Sequence, residues 1–160
     1  MDEKSRDGIL IERLHKPMRF RLIDAGTGAE LKEVEEYADA VAFACRRTCP
    51  NAWAWANSRI GLSDTMRARL LRACEIMAAG GVYEVLPGVS WRVMSESRRG
   101  MWHLVTHDAL GFFYCTCECT QYTPNACYDG IPGVNRGVRS CKHILAAFLF
   151  MIEQDGGWEY

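Results

Sequence analysis

The chain has 160 residues, 49% of them hydrophobic and 24% charged, with a formal net charge of -1. That composition suits one domain, or one small domain with an added subdomain, and long disorder is not expected. The near-zero charge argues against a strong, unspecific grip on nucleic acid, although residues 59–99 carry seven arginines against four acids and form a mildly basic middle.

No apolar run approaches the roughly 18–20 residues that span a bilayer. The N-terminus, MDEKSRDGIL, lacks the apolar core of a signal peptide. The expectation is a cytoplasmic protein in a reducing compartment, with no membrane partner. There, eight cysteines point to metal binding or redox chemistry sooner than to a disulfide framework.

Met18, Phe20 and Leu22 alternate with Arg19 and Arg21, which predicts a strand. Gly26-Thr27-Gly28 turns the chain. Thr27 and Glu30 have the spacing of a capping box, and Leu31, Val34, Ala38, Val41, Ala42 and Cys45 follow at helical spacing. A helix is therefore expected from about Ala29 to Arg47, interrupted at Cys49-Pro50-Asn51. Trp53, Trp55, Ile60 and Leu62 form an apolar patch in which a short helix can follow Pro50. Ser63 is placed to cap another helix, lined by Met66, Leu70, Leu71, Cys74 and Met77 and ended by Gly80-Gly81. Residues 1–80 thus read as a strand with a small helical subdomain, and they resemble no family.

The pattern then switches to four short strands, Val82–Leu86, Val89–Ser95, Met101–Thr106 and Phe112–Cys117, which predict an antiparallel meander. Met66, Met77, Met94 and Met101 are assigned to the core. Residues 118–140 are loop-like, and HILAAFLFMIEQ, following Lys142, is a strongly apolar helix. The fold class expected is α+β. Residues 81–154 form the second unit, with the Ile144, Leu145, Phe148, Leu149 and Ile152 surface buried on the sheet.

The segment YCTCECTQY … SCKHILAAF carries the chemistry. Zinc takes thiolate and imidazole ligands in a tetrahedral shell, and a structural site fills all four positions from protein. Residues two apart on a strand share a face, so a Cys-x-Cys pair ending the last strand can grip one ion. Residues two apart inside a regular helix diverge by about 200°. Cys141 should therefore sit just before the helix and His143 in its first turn, where the helix N-terminus favours a thiolate.

Cys-x-Cys, a variable loop, then Cys-x-His followed by an Ile-Leu-Ala-Ala helix resembles the SWIM zinc finger. The Trp91-Arg92-Val93 and Trp102-His103-Leu104-Val105 stretches resemble that family's strand region, so the likeness spans roughly residues 89–150. Two registers fit. Cys115-Thr116-Cys117-Glu118 matches one common form and is preferred. Cys117-Glu118-Cys119 instead places Tyr122 where many members carry an aromatic. The implied ligands are Cys115, Cys117, Cys141 and His143, with Cys119 replacing Cys115 in the alternative register. Cys127 is read as a bystander. The resemblance implies one structural zinc ion and a binding module for a protein partner, DNA or both, in recombination, repair or transposition settings. A stand-alone DNA-binding regulator is the alternative.

An enzyme is disfavoured. A catalytic Cys–His pair needs an unligated His and an orienting third group, and a zinc hydrolase needs an open coordination position. His103 and His107 read as surface or satisfied core histidines, and Trp53 and Trp55 as core. Cys45 and Cys74 lie on apolar helix faces, whereas Cys49 has no assigned place. Arg46-Arg47 and Arg98-Arg99 read first as charged surface and second as phosphate contacts.

Overall fold

A computed structural model describes residues 8–59, 64–96, 98, 100–109, 112–117 and 141–156. The fold is α+β, with two antiparallel sheets and four helices among the described residues. The first sheet is a meander of β1 (Ile9–Leu14), β2 (Arg19–Asp24) and β3 (Glu30–Val34). Strand alternation sends Ile9, Ile11, Phe20 and Leu22 inward, with Ile11 opposite Leu22. Gly8, just before β1, runs against the backbone of Ala79: a Cβ there would lie 2.7 Å from the Ala79 carbonyl carbon.

The helix expected from Ala29 is corrected. Residues 30–34 are β3, and α1 spans Tyr37–Thr48. Thr27 serves a turn and not a helix cap. The Asp24 carboxylate accepts the backbone N–H groups of Gly26 and Thr27, both at 2.9 Å, and Gly28 takes a positive φ of 74°. Those donors, Thr27 first, hold the Asp24 pKa below its ordinary value against the opposing effect of desolvation. Arg19 and Arg21 then pair with Glu33 and Glu30 of β3. The spacing of Leu31 and Val34 suits a helix equally well, but pairing with β2 decides the outcome.

Helix α1 buries Ala40, Val41, Ala44 and Cys45. Cys49 ends it and begins α2 (Pro50–Asn57), with Pro50 in the first turn, where its missing N–H costs nothing. No side chain of α2's own N-cap reaches its backbone; instead Glu153, from the far end of the chain, accepts the Ala52 N–H at 2.9 Å. Trp53 and Trp55 are buried, as expected. Helix α3 (Asp64–Ala78) buries Leu70, Leu71, Cys74 and Ile76 and stops at Gly80, whose φ is 72°. Ser63, Ile60 and Leu62, and the side chain of Met66, lie outside what is described.

The second sheet has the order β4-β5-β6-β7: Val82–Leu86, Ser90–Met94, Trp102–His107 and Phe113–Cys115. Its inward face carries Val82, Trp91, Val93, Val105, Phe113 and Cys115. Met101 is a second correction: it precedes β6, at the turn, and is 45% exposed. Helix α4 (Lys142–Gln154) buries Ile144 through Leu149 and Ile152. A helix apolar all round must be enclosed. It packs chiefly on α3 and α2 as well as on the second sheet, not on the sheet alone. Ring contacts Trp55–Phe148 (5.1 Å), Phe148–Phe113 (6.0 Å) and Phe113–Trp91 (5.8 Å) run across this core. One buried cluster therefore serves both sheets.

Candidate metal centre

Strand parity brings Cys115 to the inward face of β7, opposite Val105, and Cys117 follows two residues on. The Cys117 backbone N–H donates to the Cys115 sulfur at 3.4 Å. Cys141 is the N-cap of α4, with extended backbone (φ -69°, ψ 167°), and its sulfur accepts the Ile144 N–H at 3.4 Å. That places a sulfur where orphan N–H groups and the helix dipole favour negative charge. His143 lies in the first turn, with Nδ1 3.9 Å from the Cys141 sulfur. The arrangement is the one expected for a Cys-x-His pair astride a helix start.

One ligand atom from each of Cys115, Cys117, Cys141 and His143 lies within 4.8 Å of the other three, and all four residues are buried. Zn–S and Zn–N bonds of about 2.3 and 2.0–2.1 Å set tetrahedral ligand atoms about 3.5–3.8 Å apart, so modest contraction would close this shell. Two features fit a cation at the centre. The His143 imidazole is buried, its Nδ1 meets only the Cys141 sulfur at 3.9 Å and its Nε2 has no hydrogen-bond partner, an expensive state for a ring that no ligand engages. The thiols also crowd one another. Hydrogen bonds with Cys117 and then Cys141, followed by burial, push the Cys115 pKa well above the thiol range. Cys141 is pulled down by its hydrogen bond with Cys115 but pushed up by Cys117 and by burial, and settles at about 11. A divalent cation would replace these protons and satisfy the sulfurs together.

Among the described residues this is the one group of three or more Cys, His, Asp or Glu side chains close enough to hold a metal ion. Cys119 and Cys127 lie outside the described residues. Cys45, Cys49 and Cys74 are buried elsewhere, and the Cys45 sulfur donates to the Cys74 carbonyl at 3.4 Å. Cys49, which the sequence left unplaced, is the joint between α1 and α2.

Sequence reasoning missed His103. Its ring centroid is 4.3 Å from that of His143, tilted by 41°. Burial, and then His143, hold its pKa below the ordinary histidine value. The available signal was parity: His103 shares the inward face of β6 with Val105, which pairs with Cys115. His107 stacks on Phe113 at 4.3 Å.

Among the described residues, no helix is long and apolar enough to cross a membrane. Comparison of the chain with protein-family models, with curated proteins and with solved structures returns no match.

Proposed function

We propose that Cys115, Cys117, Cys141 and His143 hold one structural zinc ion, and that the chain is a SWIM-type module that binds a macromolecular partner, protein or DNA, without catalysing a reaction. The observation that carries this reading is the convergence of three sulfurs and one imidazole, all buried, from a strand end and a helix start. Three thiolates and an imidazole in a closed four-ligand set are a zinc donor set, whereas carboxylate- or carbonyl-rich sets select calcium or magnesium. Four protein ligands leave no position for water, which speaks against hydrolysis. The ion ties the end of β7 to the start of α4 across residues 118–140. Without it, ordering those ends costs loop-closure entropy.

Exposed apolar side chains on the second sheet support the binding role. Tyr83, Leu104 and Tyr114 stand on its outward face, where the Arg92 guanidinium carbon lies 5.2 Å from the Trp102 ring centroid and the Tyr114 hydroxyl donates to the Asp108 carboxylate at 3.0 Å. A largely apolar face with one cation, Arg92, and one carboxylate, Asp108, beside it suits a protein partner, and DNA is the competing occupant.

The test is metal content of the purified chain and of the Cys115→Ser, Cys119→Ser and Cys141→Ser variants, with folding followed in parallel. One zinc per chain is expected, lost in the Cys115 and Cys141 variants and kept in the Cys119 variant. Loss at Cys119 with retention at Cys115 selects the other register. A chain that stays folded and metal-free overturns the proposal. Salt dependence separates the two partner classes, because phosphate contacts weaken steeply as salt rises.

A further inference from the structure

A cavity of about 440 Å³ opens between the end of β1, the start of α1 and α3. Residues 64, 67, 68, 71 and 72 follow the i, i+3, i+4, i+7 spacing of one helix face and form its wall. Three guanidinium groups line it, from Arg13, Arg67 and Arg72, with Tyr37 between them.

Two of these arginines are fixed from behind. Arg13 donates through both terminal nitrogens to Glu75, at 3.2 and 2.9 Å, and the Tyr37 hydroxyl donates to the same carboxylate. Arg72 donates one N–H to Glu96 at 3.1 Å. The Arg13 and Arg72 guanidinium carbons lie 5.2 and 5.5 Å from the Tyr37 ring centroid. Arg67 is exposed and has no ion pair among the described residues. Glu96 is shared, because the Lys142 ammonium also approaches it at 3.5 Å. The lining itself holds three cations (Arg13, Arg67, Arg72) and one carboxylate (Asp64), while Glu75 and Glu96 pair with Arg13 and Arg72.

We infer that this cavity binds the phosphate group of a small phosphorylated molecule, a site separate from the metal cluster. The planar fork of arginine matches pairs of phosphate oxygens, and a dianion draws on more than one fork at a time. Arg13 and Arg72 are already held in place, so little side-chain freedom is lost on binding. Arg67 supplies a third cation that has no ion pair among the described residues. Leu71 and Ala68 give the organic part an apolar surface, and the volume falls within the range of small-ligand pockets, about 300–1,000 Å³.

The experiment is calorimetric titration of the full chain, at low salt, with inorganic phosphate, phenyl phosphate and benzoate. Phenyl phosphate is expected to bind more tightly than either of the others. The Arg67→Glu variant should weaken it by about tenfold or more, with the ligand-free melting temperature unchanged. Arg67→Gln and Arg72→Gln are second variants that keep the test decisive if charge reversal disturbs folding. No binding of either phosphate overturns the inference, as does unchanged binding in the Arg67 variants. Benzoate binding as tightly as phenyl phosphate overturns the phosphate class. A single-stranded oligonucleotide of about twelve nucleotides is the last arm. If it binds through Arg67 while phenyl phosphate does not bind, the cavity serves nucleic-acid backbone and the small-molecule assignment is overturned.

Discussion

On the outward face of the first sheet, Arg19 pairs with Glu33 at 2.7 Å, and Arg21 lies 3.5 and 3.6 Å from Glu12 and Glu30. On the outward face of the second sheet, Tyr83, Leu104 and Tyr114 are exposed, and Tyr83 meets Trp102 edge to face at 5.2 Å. Both sheets are antiparallel meanders with one face on a common core. They differ in emphasis: ion pairs dominate the first, although Leu10 and Leu31 are exposed there too, and aromatic and aliphatic side chains dominate the second. Alternation of charges across β1–β3 is the ordinary solution for a solvated face, each exposed pair adding little stability. Exposed apolar side chains gain nothing from water, which is what the proposed contact role rests on. The second sheet is also the one whose last strand leads into the Cys/His cluster, so the proposed metal site and the exposed apolar face belong to the same layer.

The largest expected effect breaks the comparison outright. Cys141→Ser, or chelation, should release β7 and α4 and lower the melting temperature by on the order of 10 °C or more. Hydrogen exchange should then show protection lost in β6, β7 and α4 before β1 and β2. Equal loss in both sheets would mean that the cluster does not hold one layer in particular. Next come the contributions of the two sheets to their shared core. Trp91→Ala should cost about 3–5 kcal/mol and Leu22→Ala about 2–5 kcal/mol, read from urea unfolding. Both side chains are fully buried, so a small loss at either would remove that sheet from the shared core.

Glu153→Ala should cost about 1 kcal/mol by uncapping α2. Tyr37 gives a pH signature. Burial first, and then Glu75, hold its phenol well above the ordinary range. An unfolded tyrosine ionises near pH 10, where folded Tyr37 keeps its proton. The folded state then binds more protons than the unfolded one, so stability is full below about pH 10 and falls as pH rises above it. Tyr37→Phe should flatten that fall in urea midpoints measured from about pH 9 to pH 11. The smallest effects sharpen the contrast between the faces. Arg21→Ala and Leu104→Ser should each change stability by less than about 1 kcal/mol. A larger loss at Leu104 would show that the apolar face is part of the packing and not available for contact.

The second half of the chain was the legible half. Period-two patterns bounded by Pro87-Gly88 and Arg98–Gly100 fell within a residue or two of β4–β6, and the placement of Cys141 and His143 astride a helix start followed from helix geometry alone. What failed was decided at a distance. Leu31 and Val34 fit a helix as well as a strand, and the antiparallel pairing of β3 with β2 decides between them. Met101 looked like core because its segment is apolar, yet it sits at a turn, outside the paired strand. The Arg13–Glu75–Tyr37 group joins β1, α3 and α1, and no local pattern announces it.

The bond from Ala52 to Glu153 spans 101 positions. During synthesis, α2 leaves the ribosome long before the residue that completes its first turn, and the hydrophobic flanks of α2 and α3 wait for α4. Long-range closure of this kind slows folding, and it leaves Trp53, Trp55 and Leu70 uncovered on the nascent chain. Ribosome-stalled chains that end before residue 142 should therefore recruit holdase chaperones, and chains extended well past residue 154 should release them.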